Sequence, residues 1–250
     1  MRQQWVMGNW KMNGSKASID ALLAELKAGY PTGTDAKVVV FPPAVYLPQV
    51  QAQLKDTSII WGAQTVATEE EGAYTGELSA AMLKEHGCSM VLVGHSERRQ
   101  LFHEDEKTVA KKFHRVKEHG MIPVLCVGET ESEREAGQTL SVLEAQIRAV
   151  TDLGLDFKDA LIAYEPVWAI GTGKTATPTD AANIQASIRK MVATLSPGDE
   201  QSLSILYGGS VNEKTAEGLF QMPEIDGGLV GGASLKATQF LEIVTCIKCS

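Results

Sequence analysis

The chain has 250 residues, of which 44% are hydrophobic and 22% are charged. This composition is typical of a folded globular protein and argues against a disordered chain. The formal net charge of −8 argues against nucleic acid or an anionic membrane as the main partner. A locally positive site for a small anion remains compatible with that charge.

Two further features bear on where the protein works. No apolar run approaches the roughly 20 residues that a membrane-spanning helix needs. The first residues, MRQQWVMGNWKM, contain no apolar segment of the length found in signal peptides. We therefore expect no membrane association and a cytoplasmic location.

The four cysteines indicate neither disulfides nor a metal site. Cys88 and Cys126 stand alone on apolar segments, where a packing role is expected. Cys246 and Cys249 form a C-x-x-C pair near the C-terminus, but no second pair or histidine completes a zinc site. The sequence predicts a frayed helix end there.

Short apolar runs rich in β-branched residues recur along the whole chain, each bounded by glycine, proline or polar residues. None alternates regularly with polar residues, which is typical of strands buried on both faces. The predicted strands cover residues 5–8, 37–41, 59–63, 90–94, 122–127, 161–164, 204–207 and 228–230.

Segments with helical periodicity follow the first, fourth, fifth, sixth and last of these strands. Two of them carry helix-start signals. Thr130 and Glu133 form a Thr-x-x-Glu capping box. Thr177 is followed by a proline at the first helical position and by Asp180 in the first turn. Both signals predict the start of a helix at these positions.

Eight β-strand and helix units without a linker favour a closed (β/α)₈ TIM barrel, an α/β fold with eight parallel strands, as a single domain over residues 1–250. A doubly wound open sheet is the alternative. Such a sheet usually has fewer strands and a dinucleotide fingerprint, and GTGKTA (171–176) lies too far beyond its strand to supply one.

The segment AYEPVWAIGTGKTA (163–176) combines a strand end, a carboxylate and a loop that is both apolar and rich in glycine. Glu165 ends the strand, and Pro166 biases it toward an extended conformation. Trp168 and Ile170 supply apolar surface, and two glycines supply flexibility. The pattern predicts a base covered by a moving lid; a surface loop with a chance pair of glycines is the alternative.

In a (β/α)₈ barrel, functional residues gather at the C-terminal ends of the strands. Those positions hold an amide, an ammonium, an imidazole and a carboxylate, from Asn9, Lys11, His95 and Glu165. Each alone is more often structural, but their convergence on one face predicts an active site.

Glycine-rich turns follow strands 7 and 8, the usual position for a phosphate in this fold. The GTGKT run at 171–175 resembles the end of a nucleotide-binding P-loop but has Trp168 where that loop requires glycine. We therefore expect a phosphate site and no nucleotide, metal or other cofactor.

The chain closely resembles the triosephosphate isomerase family. The matching segments, in the order and spacing of that family, are GNWKMN (8–13), VGHSERR (93–99), PVLCVGET (123–130), AYEPVWAIGTGKTATP (163–178), YGGSV (207–211) and LVGGASL (229–235).

The resemblance implies a role for each matching residue. Glu165 corresponds to the catalytic base, His95 to the electrophile, and Asn9 and Lys11 to residues that bind substrate at the reacting oxygens. Glu97 corresponds to an acidic residue that supports the site beside the lysine. The backbone amides implied to hold the phosphate belong to Gly171, Ser210, Gly231 and Gly232.

The family interconverts dihydroxyacetone phosphate and D-glyceraldehyde 3-phosphate without a cofactor. One carboxylate can remove and return the proton if it faces both carbons of a cis-enediolate. Lysine and imidazole stabilise the developing oxyanion. In this family the imidazole acts in its neutral form, with its pKa lowered at a helix N-terminus, and the segment after His95 is compatible with such a helix start.

The resemblance also implies a homodimer with twofold symmetry. The long loop from Gln64 to Glu77 lies where the family's subunits interlock, and Thr75 would reach the Asn9 to Lys11 segment of the partner. Because this loop contains an acidic run, a solvated surface loop is the alternative.

Two other functions are compatible with the residues. A phosphosugar aldolase on the same barrel would form a Schiff base through Lys11. A non-catalytic phosphate-binding or adhesion protein would keep the fold but would not need Glu165.

Overall fold

The fold is a closed barrel of parallel strands surrounded by helices. A computed structural model describes residues 2–170 and 176–247. Within these residues, eight strands pair side by side in chain order, and β1 pairs with β8 to close the barrel. The strands are β1 (Trp5–Asn9), β2 (Lys37–Phe41), β3 (Ile60–Ala63), β4 (Met90–Val93), β5 (Ile122–Val127), β6 (Leu161–Tyr164), β7 (Ser204–Tyr207) and β8 (Gly227–Val230). The predicted fold class is confirmed.

Helices connect successive strands across the outside of the barrel. In the described part of the chain they are α1 (Lys16–Gly29), α2 (Leu47–Leu54), α3 (Ala80–Glu85), α4 (Ser96–Leu101), α5 (Glu106–Glu118), α6 (Glu131–Glu135), α7 (Thr139–Thr151), α8 (Pro178–Leu195), α9 (Ala216–Phe220) and α10 (Ala237–Thr245). Short 3₁₀ segments cover Ala44–Tyr46, Val167–Ala169, Asp199–Gln201 and Gly232–Leu235.

The predicted strands agree with the observed ones to within a residue. Asn9, expected just after the first strand, is the last residue of β1, and Gly94 lies beyond the end of β4. No helical periodicity is apparent in the sequence after strands 2, 3 and 7. The helices there, α2, α3 and α9, have only 8, 6 and 5 residues, too few for a helical period to show in the sequence.

Both predicted helix-start signals are confirmed. The Thr130 side chain accepts from the backbone N–H of Glu133, whose carboxylate in turn accepts from the Thr130 N–H. The Thr177 hydroxyl accepts from the N–H of Asp180, and proline occupies the first turn of α8. These caps satisfy backbone donors that a helix leaves unpaired at its start.

The core has two layers. Side chains that point into the barrel form the inner layer, which contains Met7, Phe41, Leu92, Cys126 and Leu206 among others. The outer and larger layer fills the space between the strands and the helices. The continuous apolar runs in the sequence follow from this burial on both faces.

In the described part of the chain, no helix is both long and apolar enough to cross a membrane.

The cysteines are free thiols where the structure describes them. Cys88 and Cys126 are buried, and burial raises the pKa of Cys88 to about 12. Cys246 caps the C-terminus of α10, whereas Cys249 lies outside the described residues.

Candidate active site

A cavity of about 530 Å³ opens at the C-terminal ends of the strands. Seven of the eight residues predicted for the site line it, although they come from distant parts of the chain. They are Asn9, Lys11, His95, Glu165, Ser210, Gly231 and Gly232. The eighth, Gly171, lies outside the described residues.

Glu165 and His95 face each other directly. Oε1 of Glu165 lies 2.9 Å from Nε2 of His95. Oε2 of Glu165 accepts a hydrogen bond of 2.9 Å from the backbone N–H of Ser96. The Glu165 side chain is only 2% exposed, so these donors replace the water that an ionised carboxylate requires.

The hydrogen bonds of His95 define its tautomer. His95 is the N-cap of α4, and its Nδ1 accepts from the N–H of Glu97 at 3.2 Å. A ring nitrogen that accepts carries no proton, so the remaining proton of a neutral ring sits on Nε2. Nε2–H therefore donates to Glu165 in this arrangement.

The electrostatics of the pair differ from the expectation for His95. Burial lowers the pKa of His95, but the Glu165 carboxylate beside it outweighs burial and raises that pKa above its usual value. The expected lowering of the His95 pKa is thus wrong in this structure, because the imidazole faces the carboxylate. Burial raises the pKa of Glu165, but His95, the Ser96 N–H and Lys11 together hold it below its usual value.

Lys11 is presented to the cavity by a left-handed backbone turn. Its φ is 51°, a conformation that is rare for residues with a side chain. The Asn9 side chain accepts from the Lys11 N–H at 3.0 Å, and the Gln64 amide donates to the Lys11 carbonyl at 2.8 Å. Lys11 Nζ lies 2.6 Å from a carboxylate oxygen of Glu97, which fixes the ammonium at the mouth of the cavity.

The turns after β7 and β8 form the opposite wall. The Ser210 turn follows β7, and Gly231 and Gly232 follow β8. Both the hydroxyl and the N–H of Ser234 donate to the Gly231 carbonyl, at 2.6 and 2.9 Å. This pairing engages the carbonyl within the turn, and a glycine-rich turn of this kind is suited to an anion.

One glycine position is fixed by close packing beside the base. A Cβ atom on Gly128 would lie 1.7 Å from the Glu165 carbonyl oxygen. The Gln146 side chain forms two hydrogen bonds with this glycine. It accepts from the Gly128 N–H at 2.8 Å and donates to the Gly128 carbonyl at 3.1 Å. The end of β5 therefore packs directly against the backbone of the base.

Comparison with known proteins agrees with this geometry. The family model described as Triosephosphate isomerase matches residues 4–247. The chain belongs to the triosephosphate isomerase family. Relatives named triosephosphate isomerase include one from Legionella pneumophila (strain Paris), 56% identical over 99% of this chain and 100% of the relative. Those from Vibrio sp. (strain ANT-300) and Cupriavidus necator are 50% and 51% identical, over 98% and 97% of this chain and 98% and 99% of the relatives.

Two contacts near the base were not predicted from the sequence or from its likeness to the triosephosphate isomerase family. The carboxylate of Glu129 is fully buried and accepts from Tyr164 and Trp168. The backbone N–H of Ala176 faces the hydroxyl of Tyr207, whose pKa burial raises to about 12. Both contacts join residues far apart in sequence, so no local sequence pattern predicts them.

Proposed function

We propose that the protein interconverts dihydroxyacetone phosphate and D-glyceraldehyde 3-phosphate through a cis-enediolate, without a cofactor. The observation that carries this function is the placement of one buried carboxylate, Glu165, 2.9 Å from the imidazole of His95 in a cavity that Lys11 also lines. Membership of the triosephosphate isomerase family supports the same reaction.

The first step requires Glu165 to leave its resting partners. In the structure its oxygens bind His95 and the Ser96 N–H. When a substrate enters between them, the carboxylate takes a proton from the carbon next to the carbonyl. It returns that proton to the neighbouring carbon, because one carboxylate can reach both carbons of a planar enediolate, while the hydroxyl proton passes from one enediolate oxygen to the other.

The negative charge that develops on the two substrate oxygens needs fixed donors. His95 offers Nε2–H once Glu165 has moved, and Lys11 supplies a positive charge already held by Glu97. Separation from the carboxylate also removes the interaction that raises the pKa of His95. The imidazole therefore acts as a neutral hydrogen-bond donor, and Asn9 binds beside it.

The phosphate binds between the turns after β7 and β8. The backbone amides of Ser210, Gly231 and Gly232 hold it, and Gly171 adds an amide that reaches the phosphate only when the lid closes. The lid excludes water and retains the phosphate until the enediolate is reprotonated. Ile170, which lines the cavity, is its apolar part next to the site.

A coupled assay of D-glyceraldehyde 3-phosphate conversion tests the activity, and the Glu165→Asp variant tests the mechanism. Shortening the carboxylate by one methylene withdraws it by about 1 Å, so we expect kcat to fall about 100-fold. Binding of inorganic phosphate, measured by calorimetry, serves as the control and should change little. Unchanged turnover in Glu165→Asp would remove this residue from the mechanism.

The two alternative functions are distinguished by simple measurements. An aldolase that used Lys11 as a Schiff-base nucleophile would be trapped as a covalent adduct when borohydride is added with substrate, whereas an isomerase gives no adduct. A non-catalytic phosphate-binding or adhesion protein would bind phosphate but show no turnover in the coupled assay.

We further propose a homodimer that includes the loop from Gln64 to Glu77. Large apolar side chains stand exposed on the segments that follow β1 to β4. They are Met12, Val45, Tyr74, Met82, Leu101 and Phe102, with exposures between 48% and 95%. Exposed large apolar side chains on consecutive segments of the fold are typical of an interface. Arg115 supports the loop by donating to the Thr68 carbonyl at 2.7 Å and pairing with Glu70.

The proposed cellular role follows from the reaction. Interconversion of the two triose phosphates belongs to glycolysis and gluconeogenesis, and we propose that the protein acts in the cytoplasm as a single (β/α)₈ domain. In this proposed role, the protein has neither nucleic acid nor a membrane as a partner.

A further inference from the structure

Few side chains supply the positive charge that lines the cavity of this acidic protein. The chain has a formal net charge of −8, so its overall field opposes the approach of a doubly charged phosphate ester. In the described part of the chain, the ammonium groups that line the cavity belong to Lys11 and Lys214. Glu97 already pairs with Lys11 at 2.6 Å, whereas Lys214 forms no ion pair within residues 2–170 and 176–247.

Lys214 belongs to the turn after β7, which also contains Ser210 of the proposed phosphate site. Its backbone N–H donates to the Asn212 side chain at 2.9 Å, and the N–H of Thr215 donates to the same oxygen at 3.2 Å. The Thr215 hydroxyl accepts in return from the N–H of Asn212 at 3.1 Å. These hydrogen bonds fix the backbone of Lys214 shortly after Ser210, while the Lys214 side chain stays exposed to solvent.

Glu213, on the same turn, carries the opposite charge. It lines the cavity as Lys214 does, and its Oε2 is buried without a hydrogen-bond partner among the residues that the structure describes. A carboxylate oxygen that neither water nor a donor screens repels an anion more strongly than a solvated one does. Two neighbouring positions thus place one attractive and one repulsive charge at the wall of the cavity.

We propose that Lys214 and Glu213 act in opposite directions on the capture of substrate. Lys214 raises the rate at which a doubly charged triose phosphate enters the cavity, and Glu213 lowers it. The inference rests on the proposed function, because it takes the ligand to be a phosphate ester. Both side chains act through their charge on the phosphate and are assigned no contact with the reacting carbons.

The Lys214→Met variant tests the attractive charge, because methionine keeps an unbranched side chain without the ammonium group. At low ionic strength we expect kcat/KM for D-glyceraldehyde 3-phosphate to fall about three- to tenfold, since one positive charge no longer attracts the ligand. The loss should appear in KM rather than in kcat, because the reacting groups are unchanged. At about 1 M salt, where the screening length is roughly 3 Å, the loss should nearly disappear.

The Glu213→Gln variant tests the repulsive charge and separates an electrostatic role from a structural one. Glutamine keeps the shape of the side chain and removes its charge, so kcat/KM should rise about two- to fivefold at low ionic strength. Damage to the turn would lower activity in both variants, whereas an effect of charge gives opposite signs at the two positions. An unchanged or lower kcat/KM in Glu213→Gln would overturn the role of this residue.

Lys55 provides the matched control, because it is exposed at the C-terminus of α2, at the opposite end of the barrel from the cavity. Lys55→Met removes the same charge and should leave kcat/KM unchanged at every salt concentration. A Lys214→Met protein that matched the wild type at low salt, or whose loss persisted at high salt, would overturn the role of Lys214. A wild-type protein that did not turn over triose phosphate would instead contradict the proposed function.

Discussion

Single side chains outside the reacting set hold the site in its working geometry, and Gln64 is one of them. Its amide nitrogen donates to the carbonyls of Lys11 and Phe41, at 2.8 and 2.9 Å. The Lys11 carbonyl belongs to a left-handed turn with a φ of 51°. Such a conformation persists only where neighbouring groups stabilise it, so we expect stability here to depend on a donor at position 64.

Gln64→Glu is therefore expected to lower the free energy of unfolding by about 2 kcal/mol at pH 7, because a carboxylate faces two carbonyl oxygens. The introduced carboxyl group, lacking donors, has a raised pKa in the folded protein. The destabilisation should therefore shrink as the pH falls toward 4. Urea denaturation at several pH values measures both effects. Gln64→Met removes the donors without adding an acceptor and should cost less; equal losses would contradict the argument.

Position along a strand explains which residues of the site the sequence predicts. Asn9, Lys11, His95 and Glu165 were identified because each ends or follows a strand, and parallel strands bring their C-terminal ends to one face. The left-handed turn at Lys11 and the burial of Glu129 depend on side chains more than 30 positions away. Local sequence patterns do not predict such long-range contacts.

At the scale of elements, strands were the easier prediction. Burial on both faces makes each strand a continuous apolar run, whereas α3 and α9 span less than two turns and show no period. Contacts between elements were not predictable, and Glu104 shows why. It joins α4 to α5 by accepting from Arg98 at 2.5 Å and from Lys112 at 2.6 Å, and Lys112 also donates to Thr65 after β3.

Glu104→Gln should destabilise the protein by about 3 kcal/mol at pH 7, because two largely buried cations lose their anion. Burial raises the pKa of Glu104, but Lys112 and Arg98 outweigh it and hold that pKa below its usual value. The contribution of Glu104 is therefore complete above its unfolded pKa of about 4.3 and is lost as the pH falls through the folded pKa. The stabilities of wild type and Glu104→Gln should therefore begin to converge as the pH falls below about 4 and should become equal only below the folded pKa of Glu104.

The exposed pair of Glu144 and Arg148 on α7 provides the comparison for that experiment. Glu144→Gln should change the free energy of unfolding by less than about 1 kcal/mol, as is usual for surface pairs. A constant difference between wild type and Glu104→Gln from pH 7 to pH 3 would show that the charge of Glu104 is not what stabilises the contact between the helices.

For the whole molecule, the property to test is association of two copies of the chain into the proposed homodimer. The exposed apolar side chains lie on the segments that follow β1 to β4, and Val45 is 78% exposed among them. Val45→Glu places a charge in this surface without touching a reacting group. We expect sedimentation velocity to show a shift from dimer toward monomer at micromolar concentrations, since an unpaired charge is costly in an apolar interface.

Activity should fall together with association, because the partner's loop is proposed to steady the Asn9 to Lys11 segment. Specific activity of Val45→Glu should therefore rise with protein concentration, as mass action restores the dimer. Leu153 is the matched control: it is 49% exposed but lies in the connection between α7 and β6, at the opposite end of the barrel. Leu153→Glu should leave both the sedimentation and the activity unchanged. A Val45→Glu protein that sediments like the wild type would place the interface elsewhere.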